Sequence, residues 1–419
     1  MKVRSSLVVA IGLCVFSASS VADDWPQWRG PQRNGISKET ALLSQWPAEG
    51  PKLVWQAHEI GDGYSTPAVV GDFLYVISNK GKDDEFVQAL SVADAKVAWS
   101  TRIGKVGPNT GPQYPGARST PTVDRDAIFV LGSDGDLACL DKKTGQSRWQ
   151  KSLRSDFGGQ PGKWAYSESP LVDGDLLVCT PGGAEATLVA LDKKSGDVVW
   201  KSAVPEGDQA AYASIIVVEF GGAKQYVQFL EKGLVGVAAA SGKPLWRYNK
   251  TAEGSPANIP TPIARDGMIY SATRSGGGLV KLKADGDAIS AEQVYFSNKL
   301  PNSIGGVVEL KGYLYGTNSA GLMCADFATG DIKWQERGVG AGSVCFADGR
   351  LYVHGEKDEV ALVEPSPDGY REKGRFMLPD QPDRGKSQAW AYPVVANGRL
   401  YVRDLQSLWC YDVRDNSGK

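Results

Sequence analysis

The chain has 419 residues, a formal charge of −2, Gly 50, Pro 23 and Cys 6. That length holds a sizeable core, and the near-neutral charge argues against a nucleic-acid partner, which leaves a basic footprint. Beyond the first 22 residues no stretch approaches the roughly 20 apolar residues of a transmembrane helix.

The N-terminus reads as a secretory signal. Lys2 and Arg4 form a positive n-region, Leu7 to Phe16 a short apolar run, and Ser20-Val21-Ala22 a small-residue site for cleavage after Ala22. Residues 23–51 are an N-terminal extension rich in Pro, Gly and Trp ("DWPQWRGPQRNGIS"), and 52–419 form one repetitive domain. Cys14 leaves with the signal. The remaining Cys139, Cys179, Cys324, Cys345 and Cys410 form no CxxC or adjacent pair and read as small buried hydrophobes, with one disulfide as the alternative.

Short alternating apolar runs such as "FLYVIS" (Phe73–Ser78) and "RLYVHG" (Arg350–Gly355) predict strands throughout. Two decapeptides reveal a period: "LDKKTGQSRW" (Leu140–Trp149) and "LDKKSGDVVW" (Leu191–Trp200). Extended outward, each belongs to a unit with a small-Pro start, two strands, then a third-to-fourth strand hairpin ending in Trp. Units begin at Ser65, Ser119, Ser169, Ala213, Thr261, Gly305, Gly342 and Tyr392. Asp141 is placed to accept hydrogen bonds from its own turn, and Gly145 to supply the positive φ of a bulged hairpin. The Trp after it belongs on an outer strand, packed against the neighbouring unit. Trp99, Trp149, Trp200, Trp246 and Trp334 hold that place; the fifth unit is degenerate at Val294-Tyr295 and the seventh ends in Phe376.

The predicted fold is therefore all-β, an eight-bladed β-propeller of four-stranded antiparallel blades. The eighth unit stops after three strands. "LVWQAHEI" (Leu53–Ile60), with Trp55 at the ladder position, is the orphan strand predicted to complete it.

The hairpin sequence resembles the tryptophan-docking motif of the pyrroloquinoline quinone (PQQ) repeat family, A-x-D-x-x-T-G-x-x-x-W. "ALDKKSGDVVW" departs only in Ser195, "CLDKKTGQSRW" and "CADFATGDIKW" fit well, and "GVAAASGKPLW" keeps the Gly and Trp. The family includes quinoprotein dehydrogenases and the outer-membrane assembly propeller protein; the leader further resembles exported PQQ-like propellers of planctomycete-type bacteria. The resemblance implies either an exported scaffold or, as the alternative, a PQQ- and Ca²⁺-dependent alcohol or sugar dehydrogenase. Quinoprotein alcohol dehydrogenases carry an adjacent cysteine pair and their haem-bearing relatives a CxxCH; neither occurs here. A Ca²⁺ site needs convergent oxygens, and Glu168, Asn258 and Asp156 are the candidates.

Other chemical signals are weak. His58 and His354 are the only histidines, "GVGAGS" (Gly338–Ser343) has no helix behind it, and "KDDEF" (Lys82–Phe86) reads as a solvated turn. No catalytic or metal residues are assigned and no cofactor is expected. The residues preceding each first strand are more informative, because those connections open on one face of the central channel. Tyr64, Arg118, Trp164, Tyr166, Glu168, Tyr212, Asn258, Asn302, Trp390 and Tyr392 are the predicted ligand-binding set, with Arg118 and Tyr166 as first anchors. The sequence thus predicts an exported, monomeric, non-catalytic binding module of the periplasm or cell envelope, with a protein, peptide or glycan as partner.

Overall fold

A computed structural model describes residues 24–107, 116–205, 208–255, 257–286, 288–302 and 304–415. The signal segment and its cleavage site lie outside these residues. Eight four-stranded antiparallel sheets follow one another in chain order, each joined to the next from its outermost strand to the neighbour's innermost. Blade 2 is representative, with strands Thr122–Asp124, Ala127–Leu131, Asp136–Asp141 and Ser147–Ser152. Blade 8 comprises Val394–Ala396, Arg399–Asp404 and Ser407–Asp412, closed by Lys52–Ala57 pairing along Ser407–Asp412. His58 follows that closing strand directly.

The core is a series of apolar layers between successive blades. Phe129 and Cys139 of blade 2, for instance, pack with Leu177, Cys179 and Val189 of blade 3. All five cysteines after Cys14 are buried free thiols.

The repeated hairpin works as its chemistry requires. Asp141 Oδ1 accepts from Lys143 N (3.0 Å) and Thr144 N (2.9 Å), and Asp192 Oδ1 from Lys194 N and Ser195 N (both 2.9 Å). The glycine closing each turn has positive φ, 70° at Gly145 and 76° at Gly196. It also makes room for the preceding blade: a Cβ on Gly196 would lie 2.9 Å from the Trp149 ring. Each ring then donates its indole N–H to a carbonyl of the next blade. Trp55 reaches Val92 O (2.8 Å), Trp99 Lys142 O (3.1 Å), Trp149 Lys193 O (3.1 Å), Trp200 Ala239 O (3.0 Å) and Trp334 Ser366 O (2.6 Å). In blade 5 Tyr295 takes over, its hydroxyl donating to Phe327 O at 2.9 Å. Trp246 keeps the ladder's packing place, buried with Ile269 and Val280 of blade 5, but donates to Gln225 Oε1 in its own blade (2.7 Å), because blade 5 has a long hairpin, Gly276–Asp285 with Ala288–Ser297, in place of the short Gly turn.

The leader occupies the central channel. Trp25 exchanges two backbone hydrogen bonds with Val69 of blade 1 (2.7 and 2.8 Å), and Pro26 O accepts from Val123 N of blade 2 (2.8 Å). Arg29 donates to Val307 O of blade 6, and Arg33 to Ser169 O (2.7 Å) and Pro170 O (3.0 Å) of blade 3. Ile36 then bridges to Phe346 of blade 7, and Glu39 accepts from Asn397 N and Gly398 N of blade 8 (2.8 and 2.9 Å). With Trp28 on Thr261 of blade 5, the fifteen residues from Trp25 to Glu39 touch seven blades, and each buried arginine places Nη donors on backbone carbonyls.

The "KDDEF" reading needs correction. Glu85 is fully buried, its carboxylate accepting from Ser133 N (2.7 Å) and Ser133 Oγ (2.5 Å) of blade 2. The strand Asp84–Ser91 begins earlier than the charges suggested, because this hairpin extends alongside the next blade. Burial pushes the Glu85 carboxyl up to about 7, with the Ser133 bonds opposing. Arg403 joins blade 8 to blade 1 in the same manner, donating to Ser65 O and Ile77 O (both 2.9 Å). His354 is buried with Nδ1 3.0 Å from Ala391 O, and desolvation lowers it to about 4.

Candidate functional site

On the face where the blade-to-blade connections open, the channel ends in a cup of about 380 Å³. Its floor is the leader: Trp28 stands at the turn of that segment, with its indole N–H on Thr261 Oγ1 (2.8 Å). Tyr392 meets Trp28 edge-on, ring centroids 4.6 Å apart, and donates its hydroxyl to Ile304 O at 2.7 Å. The leader therefore makes the cup blind.

Two more aromatic pairs form the walls. Tyr64 and Trp390 lie 5.2 Å apart at 46°, and Trp164 and Tyr212 5.8 Å apart at 58°. Tyr64 Oη is in close hydrogen bond with Ser387 Oγ, and Tyr212 Oη accepts from Trp164 N (3.1 Å). Arg118 stacks over Tyr64 at 5.7 Å, and Lys163 over Trp164 at 5.5 Å. Arg274, Lys386 and Glu356 complete the charged lining. Burial raises the Glu356 carboxyl, while its hydrogen bond from Trp390 Nε1 (3.3 Å) and the charge of Arg274 oppose.

The predicted residues thus divide. Tyr64, Arg118, Trp164, Tyr212, Trp390 and Tyr392 converge on the cup. Tyr166 does not: it is buried between blades 2 and 3 and donates its hydroxyl to Pro181 O at 2.8 Å. Glu168 sits behind the wall, its carboxylate accepting from Thr180 N, Thr180 Oγ1 (2.7 Å) and Gln228 Nε2 (3.0 Å), with burial raising it to about 7 and Arg33 opposing. Asn258 donates to Leu230 O (2.7 Å) and Glu231 O (2.8 Å) and lines an adjoining cavity of about 520 Å³ that shares Tyr212 and Ala257 with the cup. Asn302 is half-buried, its side chain 3.4 Å from Arg274 O. Trp164, Tyr166 and Glu168 are two apart and would share one face of a regular strand; they lie instead in the connection before Leu171–Asp173, where Ala165, at φ 66°, turns the chain between Trp164 and Tyr166.

The sequence reading missed Arg274, Glu356, Lys386 and Trp28. Arg274 and Glu356 occupy second-to-third strand turns, which open on the same face as the connections and were available to the same argument. Trp28 gave no local sign that the leader folds inward.

The donors proposed for Ca²⁺ do not fit a cation site. Glu168 is committed to Thr180 and Gln228, and Asp156 caps a five-residue helix by accepting from Ser152 N (2.9 Å); only Asn258, with Nδ2 on backbone carbonyls, keeps an oxygen without a hydrogen-bond partner among the described residues, and one such oxygen does not make a cation cage. Among the described residues no three His, Cys, Asp or Glu side chains cluster to hold a metal. No helix among them is long and apolar enough to cross a membrane.

A blind-ended propeller of PQQ-type repeats with an aromatic, cationic mouth is the class of protein this architecture defines. The family described as "Outer membrane protein assembly factor BamB" matches residues 34–162 and 101–336, and the chain belongs to that family of PQQ-like propellers. The outer membrane protein assembly factor BamB of Burkholderia pseudomallei is 27% identical over 197 residues, 46% of this chain and 44% of that protein. A polyvinylalcohol dehydrogenase of a Pseudomonas species is 24% identical over 278 residues, 61% of this chain and 36% of that protein. The chain thus spans less than half the length of either relative. Among solved structures, BamB from Moraxella catarrhalis superposes with a TM-score of 0.60 at 16% identity, covering 86% of this chain and 99% of that one. That likeness concerns the fold.

Proposed function

We propose that the protein is an exported, non-catalytic binding or scaffold module of the cell envelope that takes its ligand at the channel mouth. The observation carrying this reading is the cup itself. Its aromatic pairs are held by one another and by hydrogen bonds to neighbouring backbone and side chains, which suits a preformed recognition surface. The two carboxylates that burial pushes up to about 7, Glu85 and Glu168, are occupied in hydrogen bonds between strands and blades, so neither is placed as a general base for a ligand in the cup. The names of the BamB relatives support an envelope assembly role.

The second reading, a PQQ-dependent oxidoreductase, draws on the likeness to polyvinylalcohol dehydrogenase. It requires an electrophile beside the quinone, and the donor set proposed for Ca²⁺ is dispersed. Capture from envelope extract separates the two. The Arg274→Glu/Lys386→Glu variant, altered at exposed side chains, is expected to lose whatever wild type captures while melting as wild type does. Substrate-dependent dye reduction by protein loaded with PQQ and Ca²⁺ would favour the oxidoreductase instead.

A further inference from the structure

We propose that the cup recognises an acidic pyranose, a sugar ring bearing a carboxylate or sulfate, at the end of an anionic glycan. This rests on the mouth being the ligand site and names the ligand class it takes.

Charge comes first. Arg118, Arg274 and Lys386 face a single carboxylate, Glu356, whose negative form burial disfavours. An aromatic cup on its own would suit a quaternary ammonium; three cations in the same space oppose one, and Arg118 and Lys163 already cover ring faces. The hydrogen-bonding balance agrees. Trp164 Nε1 and Ser167 Oγ are buried at the cup wall with no hydrogen-bond partner among the described residues. An indole N–H can only donate, and leaving a buried donor unsatisfied is costly. Ser167 Oγ can donate or accept, so the excess of donors rests on Trp164 Nε1 with the three cations, and it calls for a ligand rich in acceptor oxygens.

Shape narrows the class. The floor is closed by Trp28 and Tyr392, so a chain enters by its end and cannot thread through. Flat ring faces at two angles match the C–H faces of a pyranose, while the cations meet its acidic substituent. A peptide adding itself as a strand would need free inner-strand edges in the channel. The leader has taken those at Val69, Val123 and Phe346. The adjoining cavity, carrying Arg154 and Lys163 against Glu231, continues from Tyr212 and Ala257 and gives the next sugar a place with the same sign of charge. Both volumes fall within the roughly 300–1,000 Å³ of ligand sites.

Calorimetric titration of the full chain tests this with trigalacturonate, a sulfated galactose trisaccharide, neutral galactotriose, free galacturonate, pentaglutamate and PQQ. One or both acidic trisaccharides are expected to bind saturably and at least tenfold more tightly than galactotriose. That affinity should fall with added salt, and by about tenfold in Arg274→Ala and in Lys386→Ala with unchanged melting. Free galacturonate binding as tightly as the trisaccharide confines recognition to one ring and leaves the class standing. Galactotriose equal to the acidic sugars, or no saturable binding of either acid, overturns the proposal. If pentaglutamate or PQQ binds more tightly and loses affinity in the two variants, the sugar class is wrong and the mouth remains the site. Acidic sugar binding that both variants leave intact overturns the mouth as the site.

Discussion

At the rim, blades 2 and 3 are close to interchangeable: Trp149 and Trp200 each donate to the next blade's turn, and Asp141 and Asp192 each fold back on two turn amides. At the channel mouth the same two blades share nothing, one presenting Arg118 and the other Trp164 and Ser167. The rim faces the same problem eight times, a sheet that must seat a ring from its neighbour, and one short sequence ending in Trp solves it at five of the junctions. The mouth faces a single plug and, on the proposed reading, a single ligand, so each blade contributes something different. Repetition therefore marks what holds the molecule together, and its absence marks what the molecule presents.

Removing residues up to Ile60 should have the largest effect. It deletes the closing strand and the buried arginine anchors together, leaving an exposed edge on blade 8. Light scattering should detect association and the cooperative melt should be lost; an unchanged monomer would refute closure by the N-terminus. Next, Trp200→Ala should cost about 3–5 kcal/mol in urea unfolding, since this ring is buried and bonded across blades. Gly196→Ala follows at about 1–2 kcal/mol, combining a strained positive φ with a Cβ against Trp149. A loss equal to that of Trp200→Ala would mean the turn, and not the ring, carries the blade contact.

Glu85→Gln sharpens the comparison through pH. The folded carboxyl is raised from 4.5 to about 7, so its contribution to stability is fully present below about 4.5 and is lost as pH rises through 7. Relative to wild type, the glutamine variant should gain stability between pH 5 and pH 8, read as a growing difference in Tm. A constant difference would mean the site is ionised in both states. The smallest effect belongs to the mouth: Arg274→Ala, at an exposed turn, should change stability by less than about 0.5 kcal/mol.

The fold was legible because its signal is local and recurrent. Asp, Gly and Trp at fixed spacing specify a turn, a cleft and a ring, and eight copies average out the irregular ones at Tyr295 and Phe376. Blade closure was legible for the same reason, since Trp55 stood alone without its unit. Six mouth residues were found from position alone. Tyr166 and Glu168 were misplaced because they share the two-residue spacing of Trp164, and nothing in the sequence announces the left-handed residue Ala165 that turns the chain between them. The leader's path was hidden because its partners, Val69 and Val307 on inner strands and Ser169 just before one, offer backbone groups that no side-chain pattern reveals.

The most direct test sets rim against mouth in one experiment. Wild type, Trp200→Ala and Arg274→Glu/Lys386→Glu are each melted and each used for capture from envelope extract below their melting temperatures. The account predicts that the rim variant melts well below wild type yet captures the same partner, while the mouth variant melts as wild type and captures nothing. Capture lost at the rim and kept at the mouth would contradict it.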